Sequence, residues 1–338
     1  MNRPRVLITG PRMLRDFETL RPRFDTLPIT PILADVEQCL TEDQLIPLVG
    51  DIEGCICGGD KWTARVFDAA PRLRALCKWG TGVDAIDLEA AANRGIAVRN
   101  CPDAFSVPVA DTVFAFMLSF ARRIPQLDRA IKAGGWERID SVSLAECTIG
   151  VVGAGNIGQT VIRRARAFGM RILATDPRDP SPQFLDDTGA QMTSLETLLR
   201  ESDFLTLHCD LNPTTRKLIS AGELALMKPT AYLINTARGP IVDEKALIRA
   251  LQESRLAGAG LDVFEHEPPA RDNPLRFMDN VLLTPHLANS SHRAAWKTHE
   301  RAMQNLMDLL AITPPRGHSR ARSTLAPTAP DGRLVCIT

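Results

Sequence analysis

Between Cys147 and Asp176 the chain reads as an apolar strand, three glycines at G-x-G-x-x-G spacing, a helical stretch, a second apolar strand and an acid. The first strand, Cys147–Val152, runs into Gly153, Gly155 and Gly158, and Ile157, Val161, Ala165 and Phe168 then recur at helical spacing. The second strand, Arg171–Thr175, ends at Asp176. Such a unit predicts a doubly wound α/β domain whose first turn accepts a dinucleotide. Gly153 permits the tight turn, Gly155 lets the backbone approach the pyrophosphate, and Gly158 lets helix and strand pack closely. Asn156 and Ile157 open the helix, whose free N–H groups and positive dipole end suit phosphates. Asp176 is placed to accept hydrogen bonds from the adenosine ribose and to repel a 2′-phosphate, which favours NAD over NADP. Arg178, two residues on, could accommodate a 2′-phosphate or be a solvent-exposed side chain in a turn with Pro177, Pro180 and Pro182, and NAD stays the favoured cofactor.

The same alternation extends along the chain. Before the glycine motif, strands are expected at Val6–Thr9, Ile29–Ala34, Gly54–Cys57, Leu73–Trp79 and Ile96–Arg99, with helices such as Thr63–Ala70 and Asp87–Arg94 between them. That is a small parallel-sheet domain of flavodoxin type. After it, strands are expected at Asp203–His208, Ala231–Asn235, Ala257–Val263 and Val281–Thr284. Ser106–Ala121 reads as a helix apolar nearly all round, expected to cross between domains and to be buried by a partner subunit. A last amphipathic helix carries Ala295, His299, Met303, Leu306 and Leu310 on one face and is expected to return to the first domain. The expected division is 1–104 with 288–313, then 105–287, with 314–338 a disordered tail.

Composition excludes several function classes. The 338 residues carry 40 basic and 40 acidic side chains, so no basic footprint argues for nucleic acid. The longest apolar stretch, Val113–Ala121, is too short to span a membrane. The eight cysteines show neither C-x-x-C nor metal-ligand spacing, so no metal is expected and they read as reduced thiols. With no signal-peptide core before Val6, a cytoplasmic protein is expected.

Five segments in order resemble the D-isomer-specific 2-hydroxyacid dehydrogenase family, nearest its phosphoglycerate dehydrogenase-like branch. They are Gly80-Thr81-Gly82-Val83-Asp84, Gly153–Gly158, Ile234–Gly239 with Val242-Asp243, Leu261–Phe264 leading to Glu267-Pro268, and Leu283–His286. The resemblance covers about Val6 to Leu310. It implies two doubly wound domains with a cleft between them, a homodimer, and NAD(H)-linked interconversion of a small 2-hydroxy acid and its 2-oxo acid. Corepressors of the same superfamily, which keep the fold as scaffolds, are the alternative from another class. Oxidation of formate or phosphite, which relatives achieve, is a further alternative within the enzymes.

The residues read by themselves agree with a dehydrogenase. Arg238, Glu267 and His286 each follow a predicted parallel strand, at the carboxyl ends where open α/β sheets bind ligands. Reducing a ketone needs a hydride and a proton; His286 is read as the acid, and as the base in reverse. Glu267 would orient the imidazole and favour its charged form. Glu267 is preferred to Glu265 because the family motif places its acid immediately before proline. Arg238 offers a fork for the substrate carboxylate. Thr236 and Asp262 match family positions lining the nicotinamide, and a buried Asp262 needs a partner, which the carboxamide can be.

For the substrate, Lys78 and the turn Gly80, Thr81 and Gly82 end a first-domain strand expected to face the cleft. Backbone N–H groups there can form an anion nest. Lys78 stands where phosphoglycerate dehydrogenases often carry an arginine, and Arg138 matches a position that in relatives can reach across the dimer. Two departures count against 3-phosphoglycerate: Cys57-Gly58-Gly59-Asp60 lacks the usual arginine, and Pro102-Asp103-Ala104-Phe105 replaces the usual Gly and Asn. Glyoxylate and hydroxypyruvate remain open.

Overall fold

Short runs of mostly apolar residues, two to five long, become parallel strands. The computed structural model describes residues 3–136 and 138–312. It divides into two compact units, one formed by the chain up to Ala104 with the segment from His292 onward, the other by Phe105–Ser291. The tail read from sequence as disordered lies outside the described residues.

The first unit holds a five-stranded parallel sheet: β1 Arg5–Ile8, β2 Thr30–Leu33, β3 Gly54–Cys57, β4 Ala75–Lys78 and β5 Ala97–Arg99, in the order β2-β1-β3-β4-β5. Alternation along β1 splits its side chains between two layers. Leu7 packs with Trp62 and Phe67 on one face, Val6 and Ile8 with Phe24 and Leu306 on the other. The last helix, His292–Leu309, covers that second face through Ala302, Met303 and Leu306. It lies so close that a Cβ on Gly54 would sit 2.8 Å from Leu306 Cδ1.

The second unit holds a seven-stranded parallel sheet in the order β12-β11-β10-β9-β6-β7-β8. Its strands are β6 Thr148–Val152, β7 Arg171–Thr175, β8 Gln191–Met192, β9 Phe204–Leu207, β10 Tyr232–Asn235, β11 Gly258–Leu261 and β12 Val281–Leu283. From β6 the chain builds outward through β7 and β8; it then returns to β9 on the other side of β6 and builds the opposite way. The crevice at the carboxyl ends of β6 and β9 is therefore the topological switch point, where such sheets bind ligands.

Two expectations change, and one helix is new. Helix Ser106–Ala121 is buried largely by its own unit: Val113, Phe116 and Met117 join Ile149, Val161 and Ile234 in one cluster. Its uncovered residues, Val107, Asp111 and Ala115, form a narrow stripe. Phe168 falls just past the helix Asn156–Ala167 and is 41% exposed, its ring stacked on Phe114 with centroids 5.0 Å apart. Helix Ile124–Lys132 has no buried residue and was not foreseen. Among the described residues no helix is long and apolar enough to cross a membrane, and no cluster of His, Cys, Asp or Glu could hold a metal.

Candidate active site

The turn after β6 is shaped by its glycines, each in a different way. Gly153 has φ +95°, and a Cβ there would lie 2.6 Å from the backbone nitrogen of Cys209. At Gly158 a Cβ would lie 2.0 Å from the carbonyl oxygen of Gly153, so helix and turn touch only because that atom is missing. Around Gly155, which caps the helix Asn156–Ala167, nothing lies within 4 Å of a Cβ. That position is open, as backbone approach by a pyrophosphate requires. Asn156 is exposed and Ile157 half-buried at the start of the helix. Asp176 accepts from the N–H of Ala154 at 2.7 Å and of Arg178 at 2.8 Å. Its carboxylate thus ties β7 to the glycine turn, and each oxygen keeps lone pairs for a ribose.

Three adjacent strands, β10, β11 and β12, lead to the proposed catalytic side chains. Asn235, 1% exposed at the end of β10, folds the next loop by accepting from Ala237 N–H at 3.0 Å and donating to the Arg238 carbonyl at 2.9 Å. Gly239 then passes so close to the chain beyond β11 that a Cβ would lie 1.9 Å from Phe264 C. This crowding sets the Arg238 loop against the Glu267 loop. Glu267 accepts from Phe264 N–H at 3.1 Å with one oxygen and contacts His286 Nδ1 at 2.7 Å with the other. Burial alone would push the Glu267 carboxyl up; the hydrogen bond and charge of His286, the Phe264 N–H and the charge of Arg238 outweigh it and hold it below the usual range. Of the two acids considered, Glu267 is the one that meets His286; the N–H of Glu265 donates to Glu244. With Nδ1 engaged, His286 Nε2 has no partner among the described residues, and the imidazole is 41% exposed.

Asp262, expected to line the nicotinamide, meets the chain around His286. It is 1% exposed, but its oxygens accept from Thr284 Oγ1 at 2.6 Å, Leu287 N–H at 2.8 Å and Ala288 N–H at 2.9 Å. The partners that a buried acid requires come from the chain around His286. Burial raises its pKa, with those hydrogen bonds opposing. Thr236 Oγ1, by contrast, is buried with no partner among the described residues. So is Nδ1 of His208, a residue not singled out from sequence. His208 stands just past β9 at the switch point, where its carbonyl carbon would lie 2.6 Å from a Cβ on Gly153. Its Nε2 lies 2.9 Å from Thr206 Oγ1, and burial pushes its pKa down to about 3, so the ring is neutral. Asking which residue follows each parallel strand, as was done for Arg238 and His286, would have found it. The open position at Gly155 and these two orphaned polar atoms fit a polar ligand of the dinucleotide kind.

In the first unit, Gly80 has φ +128° and turns the chain after β4. The Gly80 carbonyl accepts from Cys101 N–H at 2.8 Å, and the Thr81 carbonyl from Asn100 Nδ2 at 2.7 Å. In a trans peptide the N–H points opposite to the C=O. The N–H groups of Thr81 and Gly82 are therefore turned away from the Asn100–Cys101 segment. Lys78 is half-buried, its Nζ 3.4 Å from the Trp79 carbonyl. Asp60, in the segment that lacks the usual arginine, is fully buried and accepts from Thr9, Leu40 and Gly58.

Comparison with known proteins finds relatives over most of the chain. The family described as D-isomer specific 2-hydroxyacid dehydrogenase, NAD binding domain, matches residues 114–288. The D-3-phosphoglycerate dehydrogenase of Methanocaldococcus jannaschii is 41% identical over 276 residues, which are 80% of this chain and 52% of that protein. The chain thus spans about half the length of that relative. The glyoxylate reductase of Thermococcus kodakarensis is 39% identical over 315 residues, 90% of this chain and 92% of its own. Among solved structures, the D-lactate dehydrogenase from Aquifex aeolicus complexed with NAD and lactic acid superposes with a TM-score of 0.82 at 28% identity, covering 91% of this chain and 95% of that one.

Proposed function

The chain belongs to the D-isomer-specific 2-hydroxyacid dehydrogenase family, and from that premise we propose that it interconverts a small D-2-hydroxy acid and its 2-oxo acid with NAD(H). The observation that carries this reading is the His286–Glu267 pair, 2.7 Å apart, at the end of the sheet that bears the glycine turn. Bound at Gly153–Gly158, the nicotinamide cofactor supplies or accepts the hydride. His286 Nε2 delivers a proton to the oxygen of the carbonyl being reduced and takes it back from the hydroxyl in the reverse direction. Glu267 holds Nδ1, which fixes the ring and stabilises the imidazolium. The substrate's anionic groups are assigned to Arg238 and to the N–H groups of Thr81 and Gly82. Thr236 and His208 supply polar atoms for the cofactor.

The enzyme is further read as a homodimer in a reducing compartment such as the cytoplasm. Ile124, Ile131, Trp136 and Val142 are 45–79% exposed in and after helix Ile124–Lys132, an apolar surface of the kind subunits cover. The described cysteines are all free thiols.

The test is NADH oxidation, followed by absorbance, with glyoxylate, hydroxypyruvate and phosphohydroxypyruvate, in the wild type and in His286→Ala. Turnover on one of these acids, reduced at least about a hundredfold in the variant with NADH still bound, is expected. Near-normal turnover in the variant would remove His286 from the chemistry. Silence of the wild type with NADH bound would turn the weight to a scaffold role or to an anion outside the oxo acids.

A further inference from the structure

The turn that presents Thr81 and Gly82 is backed by the last helix, and two of the helix side chains that back it, Asn305 and His299, are polar. Asn305, 7% exposed, donates from Nδ2 to the carbonyl of Asn100 at 2.9 Å; Asn100 in turn holds the Thr81 carbonyl. Six residues earlier on the same helix, His299 accepts the indole N–H of Trp79 on Nδ1 at 3.0 Å. Trp79 immediately precedes Gly80. On its other side His299 Nε2 lies 3.2 Å from Asp16 Oδ2, which also accepts from Arg12 Nε at 2.9 Å.

The tautomer follows from the partners. An indole N–H only donates, so Nδ1 carries no proton and Nε2 donates to Asp16. The imidazole is 1% exposed, and burial lowers its pKa against the opposing pull of Asp16, which keeps Nδ1 free to accept. Around them the helix also buries Thr298, Ala302, Met303, Leu306 and Met307. Leucine at 299 and 305 would satisfy packing alone. A fully paired polar network costs more to place in a core and gives one defined orientation in return. Here the orientation defined is that of the chain on both sides of the nest: Trp79 before it, Asn100 behind it.

We propose that His299 and Asn305 are positioning residues for the substrate: through Trp79 and Asn100, the last helix sets the angle at which the N–H groups of Thr81 and Gly82 meet the substrate carboxylate. This rests on the dehydrogenase reading above. Hydrogen bonds weaken steeply as their angle departs from linearity, so slack in Trp79 costs substrate affinity. The glycine turn that holds the nucleotide belongs to the other unit, so cofactor affinity is spared.

The experiment is steady-state kinetics of the full chain with the oxo acid it reduces best, comparing wild type, His299→Phe and His299→Gln. The phenylalanine variant should raise KM for the oxo acid about tenfold or more, equivalent to about 1.4 kcal/mol. Its kcat at saturation and its Kd for NADH should stay close to wild type. Glutamine, whose amide again offers one acceptor and one donor, should recover most of the KM. An unchanged KM in His299→Phe overturns the proposal, and so does a loss that NADH affinity shares or that glutamine fails to repair. Should His299→Phe not fold, Asn305→Ala makes the same comparison on the second arm, with the same outcomes. Wild-type turnover with KM unmoved in the variants defeats this proposal alone; wild-type silence on every oxo acid defeats the functional reading and this proposal with it.

Discussion

Gly155 and Gly158 belong to one motif, but the structure assigns their missing side chains opposite consequences. At Gly158 a Cβ would sit 2.0 Å from the Gly153 carbonyl oxygen, where ordinary contact begins at 3.4 Å. Both the offending atom and the helix are backbone, so Gly158→Ala must push the helix Asn156–Ala167 off the turn. Overpacking of that kind costs about 1–3 kcal/mol, and in a domain of this size each kcal/mol lowers Tm by about 2–4 °C. A fall of roughly 2–12 °C is expected. At Gly155 nothing lies within 4 Å, and its φ of −71° suits any residue. Gly155→Ala should lose only the glycine preference at a helix N-cap, about 1 kcal/mol at most. The new methyl instead occupies the approach to the pyrophosphate. Losing one hydrogen bond to a charged group is worth about 1.5–3 kcal/mol, which is about a 10- to 100-fold rise in Kd for NADH. Thermal melts without cofactor and a fluorescence titration with NADH separate the two effects. If Gly155→Ala melts as low as Gly158→Ala, the open space at Gly155 is wrong. If it melts normally and binds NADH like the wild type, the pyrophosphate does not approach there.

Glu267→Gln should lower kcat by about 10- to 100-fold, less than loss of His286, because the imidazole keeps its place but loses its counter-charge; steady-state kinetics at one saturating oxo acid checks this. The Glu267 carboxyl is held below its unfolded value, so its stabilisation is present above the unfolded pKa and disappears as pH falls through the folded one. Acid melts of Glu267→Gln should therefore fall less steeply than those of the wild type. His208 works over a higher range: with a folded pKa of about 3 against an ordinary 6.5, the unfolded chain holds a proton between those values that the folded chain does not. Stability should drop as pH falls across that window, and His208→Gln should flatten the drop in pH-dependent melts. Asp176→Ala should relax the preference for NADH over NADPH, and an unmoved ratio of kcat/KM for the two cofactors would show that the ribose is held elsewhere.

Much of this architecture was legible because the signals are local. Strands Gly54–Cys57 and Arg171–Thr175 and helix Ser106–Ala121 have the bounds read from periodicity, and the other expected strands differ by one or two residues at their ends, where pairing rather than sequence decides. Strand β8 escaped because two residues carry no periodicity; it exists only as an edge pairing to Leu173 and Ala174. The glycines were legible for the same local reason, since a turn geometry that excludes Cβ leaves glycine as its trace. What the sequence cannot display is who satisfies a buried polar group. The covering of helix Ser106–Ala121 was assigned to a partner because its own unit's sheet, 30 to 130 residues further on, was invisible to a helical pattern. Trp79 and His299 lie 220 residues apart, and no spacing rule links them.

Asp262 makes the same point within the active site, and changes how the site is understood. A buried acid after Gly258-Ala259-Gly260-Leu261 had to be paired, and the cofactor was a reasonable partner. Instead the carboxylate gathers Thr284, Leu287 and Ala288, and the Asp262 carbonyl takes the N–H of His286 at 2.8 Å. Four contacts from one residue enclose the turn in which His286 adopts φ +53°, a left-handed conformation that a side chain of this kind enters at a cost of about 1–3 kcal/mol. A general acid must hold its ring within a few tenths of an ångström of the productive position, and strain at its own backbone works against that. The collar around Asp262 offsets the strain by satisfying the turn's N–H groups with a charge. On the proposed reading a residue outside the chemistry thus fixes the place of the general acid, and Asp262→Asn, which keeps the shape but returns a donor where an acceptor is needed, should displace His286 from Glu267 without touching either side chain.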